Sequence, residues 1–300
     1  MSFGTDIIGY FGVPGSYTHQ AAEELYPGAK LIGYSSIFDV VRNIELGEVL
    51  AGVVPVENST AGRVAELYQL LDIIDLSITA EHFVGIRHCL AAPLKTASND
   101  DNEPPEDISF IENVLSHKQA LMQCRDWLGA NLPAVKITEA ANTADAAERI
   151  SKEANPRKAA ICSERAADIY GLAVLKSNIQ DFDKNVTRFH VLQKQAARPD
   201  GVNDKAITTV IFQVPHTPGA LLKALGSVSA HDTNIIKLET YMVSGMRAAP
   251  TFYVDIAVNR FSDDGEKVLS DLVDATSFLK VIGCYSASED RGNITGFLPV

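Results

Sequence analysis

Short apolar runs alternate with amphipathic stretches along this chain. Ile7-Ile-Gly-Tyr-Phe11 is a strand-length apolar run that stops at Gly12-Val-Pro-Gly15. The stretch from Ser16 to Leu25 has helical spacing, with Ser16 in place to cap it. The same order repeats. Ser36 opens a helix whose Val40, Val41 and Ile44 share one face, Gly47 ends it, and Ala51–Val56 is a second apolar strand. Strands alternating with helices at this spacing predict α/β units on a mainly parallel sheet. Ligands of such sheets sit beyond the carboxyl ends of strands, where Gly12–Gln20 and Glu57–Gly62 both fall.

Ser77–Ala91 is β-rich and leads into a polar stretch, Lys95–Asp107, that reads as a surface loop. A second α/β set follows: Ile108–Phe110, a helix Ser116–Leu128, a strand Val135–Thr138, a helix Thr143–Ser151, a strand Ala159–Cys162 and a helix Ser163–Tyr170. Two similar lobes are expected, joined near residues 80–90, with the chain returning to the first at Thr187–Gln193. Two crossings of this kind make a cleft that closes on a small molecule. After a polar linker at 195–205 the pattern changes to strand, helix, two strands, helix, strand between Ala206 and Tyr285, the ferredoxin-like βαββαβ order.

Bulk properties narrow the partners. With 300 residues, 46% hydrophobic and 21% charged, the chain is an ordinary globular protein of two or three domains. A formal charge of −12 argues against a nucleic-acid partner, since no basic stripe offers counterion release. It leaves an anionic substrate open, because one arginine and aimed backbone N–H groups suffice to hold a carboxylate. Cys89, Cys124, Cys162 and Cys284 lie far apart without metal-ligand spacing, so reduced thiols are expected. No basic leader and no apolar run of ~18 residues is visible, which points to the cytoplasm and away from a membrane.

Three motifs in order carry the chemistry: Gly12-Val-Pro-Gly-Ser-Tyr-Thr-His-Gln20, Pro55-Val-Glu-Asn-Ser-Thr-Ala-Gly62 and Asn185-Val-Thr-Arg-Phe-His190. Together they resemble the prephenate dehydratase family over nearly the whole chain. The resemblance implies decarboxylative dehydration of prephenate to phenylpyruvate, without metal or organic cofactor, in phenylalanine biosynthesis. The implied architecture is a two-lobed, type II periplasmic-binding-protein-like catalytic domain over 1–194, with lobe 1 about 5–82 and 185–194 and lobe 2 about 83–184. A ferredoxin-like ACT domain over 206–290 and a tail at 291–300 complete it.

By the same resemblance Thr187 is the catalytic donor to the departing ring hydroxyl. Arg188, Phe189, Asn58, Ser59, Thr60, Ser116, Gln119, Gln123, Ser16 and Ser163 are then substrate-binding. Read as residues alone, several have structural alternatives. Ser59 or Thr60 can cap a helix that begins near Val64. Ser116-His-Lys-Gln119 is a capping-box pattern, with Lys118 where the family has Pro, and Gln119 and Gln123 share its helix face. Arg188 suits bidentate capture of a carboxylate, or a strand-end charge; Phe189 suits a pocket wall or core.

For the C-terminal domain the resemblance implies phenylalanine binding between subunits of a homodimer or homotetramer, at Gly219, Ala220, Leu221 and Glu239, with Asn234 of a neighbouring subunit closing the site. The family's Glu-Ser-Arg-Pro reads Glu239-Thr240-Tyr241-Met242 here. Two other functions fit the pattern: an arogenate dehydratase, and a non-catalytic two-lobed sensor coupled to an amino-acid-binding domain.

Overall fold

Two serines set the first helices. Ser16 accepts from the His19 amide at the start of α1 (Tyr17–Leu25), and Ser36 accepts from the Asp39 amide at the start of α2 (Ile37–Leu46), which ends on left-handed Gly47. Both helices lie over the parallel strands β2 (Lys30–Tyr34), β1 (Ile7–Phe11) and β3 (Ala51–Asn58). This is a computed structural model, and it describes residues 6–93, 105–194, 202–203, 205–242, 250–294 and 297–300. The predicted loop at 95–107 and linker at 195–205 fall largely outside those residues.

The chain passes through β4 (Gly62–Arg63) and α3 (Ala65–Tyr68) to β5 (Leu76–Gly85), then leaves for a second sheet at β6 (Cys89–Pro93). That sheet has the order β10-β6-β9-β7-β8, from β7 (Asn113–Ser116), β8 (Lys136–Glu139), β9 (Lys158–Cys162) and β10 (Leu172–Lys176). Helices α4 (Lys118–Gln123), α5 (Arg125–Asn131), α6 (Thr143–Glu153) and α7 (Glu164–Ile169) accompany it. The chain returns as β11 (Val186–Lys194), inserted antiparallel between β3 and β5. Each lobe therefore has its own sheet, and two crossings join them.

Local expectations shift in this second lobe. Ile108–Phe110 is not a strand; the strand is β7, and it ends at Ser116 where a helix start was expected. The single helix expected over Ser116–Leu128 is two helices broken at Cys124. The break has a tertiary cause. Asp181, on the returning crossing, accepts from the Asp126 and Trp127 amides and so caps α5 anew.

The C-terminal part folds as β12 (Ala206–Gln213), α8 (Ala220–Ser229), β13 (Ile235–Met242), β14 (Pro250–Ile256), α9 (Asp263–Ala275) and β15 (Phe278–Ser286), ending in a 3₁₀ turn, Glu289–Asn293. Its strand order, β13-β14-β12-β15, is antiparallel throughout and ferredoxin-like. It does not stand apart. β15 pairs with the edge of β5, so ten described strands form one sheet, β13-β14-β12-β15-β5-β11-β3-β1-β2 with β4 on β3. Gly283 makes this approach possible: a Cβ there would lie 2.3 Å from the Ile78 carbonyl oxygen.

One core spans the junction, with Leu67, Tyr68 and Leu71 of the first lobe packed on Tyr241, Tyr253 and Tyr285. The Tyr68 ring lies 5.1 Å from Tyr253 and 5.5 Å from Tyr241. Burying so much aromatic surface gives the C-terminal unit a fixed seat.

Candidate active site

The Asn58 amide holds together the end of β3 and the start of β11. Its Nδ2 donates to Asn185 Oδ1 (2.7 Å) and Thr187 Oγ1 (2.9 Å), and its Oδ1 accepts from the amides of Thr60 and Ala61 and from the Thr60 hydroxyl. Asn58 thus shapes the turn and fixes the Thr187 side chain, and has no capacity left for a ligand. The Thr187 oxygen is used as an acceptor. Among the described residues no group takes its hydroxyl hydrogen. Thr187 is 9% exposed.

Ser59 and Thr60 cap no helix: α3 starts at Val64 without a side-chain cap. Ser59 instead ties the loop to the returning crossing, its amide donating to the Val186 carbonyl and its hydroxyl oxygen accepting from the Val186 amide. Thr60 reaches across the cleft, accepting from Gln123 Nε2 at 3.0 Å. Gln123 Oε1 in turn meets His88 Nε2 at 2.9 Å, and His88 Nδ1 lies 3.1 Å from the Tyr17 hydroxyl. A polar chain Thr187–Asn58–Thr60–Gln123–His88–Tyr17 therefore joins the lobes. Burial lowers the His88 pKa against the opposing bond to Gln123, so the ring is neutral near pH 7.

Tyr17 and His88 also line a cavity of about 560 Å³ between α1, the hinge and α7, with Gly85, Arg87, Ser163 and Arg165. Further links draw the lobes together beside it. Ser163 Oγ donates to the Gly15 carbonyl (3.0 Å), Tyr170 to the Pro14 carbonyl (3.0 Å), and Arg165 forks onto Glu23. Ser16 and Ser163 are the N-caps of α1 and α7, so both sit where the lobes meet but their oxygens are engaged by their own helices. Arg87 contacts Asn178 at 3.4 Å and, among the described residues, has no carboxylate partner.

Sequence expectations also change at Arg188, Phe189 and Ser116. Arg188 is fully buried, and its guanidinium is bound by Glu81, Asp255, Glu57 and Tyr285, so no fork remains for a substrate carboxylate. Alternation along β11 turns it away from Thr187 and into the junction with the C-terminal unit. Phe189 is core, packed with Ile8, Tyr10 and Val53. Ser116 is buried and donates to the Ile161 carbonyl at 2.6 Å; the cap of α4 is His117, whose Nδ1 accepts from the Gln119 amide, and Gln119 is half-buried. Tyr17, Arg87, His88 and Asn185 were not singled out. The polar pair Arg87-His88 inside an otherwise apolar crossing was the available signal.

In the C-terminal unit Gly219, at φ +80°, starts α8, followed by Ala220 and a half-buried Leu221. Asn234 is exposed beyond the other end of that ten-residue helix, roughly 15 Å away. Glu239 faces the first lobe, 3.4 Å from Lys237 and 3.9 Å from Arg63.

The sequence profile described as "Prephenate dehydratase" matches residues 8–197. A bifunctional chorismate mutase/prephenate dehydratase of Aquifex aeolicus is 38% identical over 93% of this chain and 73% of its own length. An arogenate dehydratase/prephenate dehydratase of Arabidopsis thaliana is 33% identical, over 93% and 72%. Among solved structures, GqqA, described as a quorum-quenching acylase, superposes with a TM-score of 0.85 at 27% identity over 95% of this chain and 99% of its own. A prephenate dehydratase of Arthrobacter aurescens in complex with L-Phe superposes at 0.82 and 25% identity, over 93% and 90%. With a profile covering well over half its length and relatives of this closeness, the chain belongs to the prephenate dehydratase family and is a lyase of the dehydratase type.

Proposed function

We propose that Thr187 is the group that drives departure of the prephenate ring hydroxyl, and that the Asn58 bond to its oxygen is what makes it a donor. With Asn58 occupying the acceptor side, the Thr187 hydrogen is directed at the cleft. As the ring carboxylate bond breaks, its electron pair enters the ring and the C–O bond breaks on the opposite side. Carbon dioxide leaves, and the departing oxygen takes one proton to become water. A hydrogen bond that strengthens as charge builds on that oxygen lowers this barrier; a free threonine hydroxyl is too weak an acid for early transfer. Gln123 and Thr60, which bridge the lobes, exclude water from the reacting ring.

With Arg188 committed elsewhere, and in the cavity that shares Tyr17 and His88 with the polar chain, the cation available to the substrate among the described lining residues is Arg87. It supplies the anchor for the pyruvyl carboxylate, with the Ser16 and Ser163 helix starts beside it. Prephenate is preferred over arogenate in this reading because two of the three acidic side chains among the described residues lining the cavity already meet basic groups. Glu23 is held by Arg165 and Glu24 meets His82, while Glu164 accepts only the Ser177 hydroxyl. Incubation of the purified chain with prephenate and with arogenate, followed by detection of phenylpyruvate and phenylalanine, decides between them. Faster turnover of arogenate refutes the preference, and binding without turnover of either would make the chain a sensor.

Phenylalanine regulation is the second element of the proposal, supported by the likeness to the L-Phe complex. The separation of Gly219 and Asn234 along α8 means that one copy cannot bring both to one small ligand, so the effector sits between copies of a homodimer or homotetramer. Glu239, paired toward Arg63, is not part of that site. Calorimetric titration of the intact chain with phenylalanine, read together with its mass in solution, tests this. The four unpaired cysteines, all buried, fit a reducing compartment and support placement in the cytoplasm.

A further inference from the structure

Adjacent residues on β3 and β11 are paired as Asn58 with Thr187 and Glu57 with Arg188. Asn58 and Thr187 meet at the cleft. Glu57 and Arg188 meet on the opposite side, in the junction with the C-terminal unit. There the Arg188 guanidinium donates through Nε to Glu81 Oε2 (2.8 Å), through Nη1 to Asp255 Oδ2 (2.7 Å) and Glu57 Oε1 (3.1 Å), and through Nη2 to the Tyr285 hydroxyl (2.8 Å).

The partners are themselves held. Thr209 donates to Asp255 Oδ1 at 2.7 Å, Arg291 forks onto Glu81, and Lys237 pairs with Glu57. Three cations (Arg188, Arg291, Lys237) thus face three carboxylates (Glu57, Glu81, Asp255), with the pair Glu239 and Arg63 at the rim beside Lys237. Asp255, Tyr285, Lys237 and Arg291 all come from beyond residue 205. The register of β11 on β3 slips by one residue between Arg188 and Phe189. The extra residue at that point is Val56 of β3, while β11 stays in unbroken register on β5 from Val186 to Val191, so Arg188 and Thr187 are adjacent residues of one continuously paired strand and a shift of Arg188 carries Thr187 with it.

We infer that Arg188 is a positioning residue for the dehydration, and that Asp255 and Tyr285 of the C-terminal unit, which touch no substrate, set turnover by holding it. The C-terminal unit is in this sense part of the catalytic scaffold, whether or not an effector is bound. The inference rests on Thr187 being the donor.

The test uses full-length Asp255→Asn and Tyr285→Phe, each alone and combined with Thr187→Val, with kcat, KM for prephenate and thermal unfolding measured for all. Asp255→Asn keeps the shape and removes the charge; Tyr285→Phe removes a single hydrogen bond. The expected result is a fall in kcat of about tenfold for Asp255→Asn and about threefold for Tyr285→Phe, with KM within about twofold. Neither substitution lowers the residual rate of Thr187→Val further, while each lowers its unfolding temperature as much as in the parent. Rate losses that multiply with that of Thr187→Val, or lowered stability with kcat unchanged, overturn the inference and leave the cluster a structural one. If Asp255→Asn does not fold, Tyr285→Phe is judged by the same criteria alone. A Thr187→Val enzyme as fast as the parent overturns the donor assignment and this inference with it; an inactive one with neutral Asp255→Asn and Tyr285→Phe overturns only the coupling.

Discussion

Replacing Thr187 by valine is the most direct perturbation of the proposed chemistry, because it exchanges a hydroxyl for a methyl group at nearly constant volume. The structural cost is small. Asn58 Nδ2 loses the 2.9 Å contact to Thr187 Oγ1 but keeps Asn185 Oδ1 at 2.7 Å and has the Val186 carbonyl at 3.3 Å to turn to. One net hydrogen bond lost is worth about 1 kcal/mol of stability. The catalytic cost is larger, since a preorganised donor at a developing oxyanion contributes about 2.7–4 kcal/mol, or 10²–10³ in kcat. The two effects therefore separate: little change in unfolding temperature, kcat lower by at least about 10², and KM near the parent value because the bond is made mainly in the transition state. Thr187→Ser retains the donor and should recover most of the rate. The assay is phenylpyruvate formation from prephenate under saturating substrate, with circular dichroism to confirm folding. A valine variant within a few-fold of the parent refutes the donor role.

The other predictions address the anchor, the cleft and the buried charges. Arg87→Ala should raise KM for prephenate about tenfold or more with a smaller change in kcat, measured by initial rates; an unchanged KM places the carboxylate elsewhere. Gly15→Ala would put a Cβ 2.8 Å from Ala166 Cα at a backbone φ of +83°, so it should hold the lobes apart and reduce kcat/KM, with small-angle scattering reporting a wider cleft. His190 is buried with neither ring nitrogen hydrogen-bonded among the described residues, and burial together with the charges of Arg188, Arg291 and Lys237, against Asp255, lowers its pKa well below the ordinary value. The unfolded chain therefore takes up a proton that the folded chain refuses. Stability should fall by up to about 1.4 kcal/mol per pH unit below about pH 6.5 on this account, and His190→Leu should flatten that limb in urea titrations. For Asp255, burial alone would raise the pKa, but Arg188 and the Thr209 hydrogen bond outweigh it and hold the carboxyl at about 2. Its contribution is present above about pH 4 and lost as pH falls toward 2, so this lower limb should persist in His190→Leu and vanish in Asp255→Asn.

The sequence by itself determined the local elements and the chemistry of their ends. Ser16, Ser36 and Ser163 were legible as helix starts because a cap is a contact over three residues, and β1, α1, α2 and β3 follow from apolar periodicity alone. The βαββαβ order after residue 205 was legible for the same reason. Thr187 and Asn58 could be picked out as motif residues, yet which of them was free to donate depended on a bond across two strands distant in sequence. Arg188 shows the limit most clearly. Its strand position says only that it points opposite to Thr187; whether that face meets solvent, substrate or protein is decided by what packs there. The pairing of β15 with β5 and the burial of Asp255 and Tyr285 made it an internal ion cluster. The split of α4 from α5 has the same origin, since its cap, Asp181, arrives from the returning crossing. Short-range hydrogen bonds and periodicity are written in neighbouring residues, whereas the fate of a charged or polar side chain depends on its desolvation partners, and those are brought to it only by the tertiary fold.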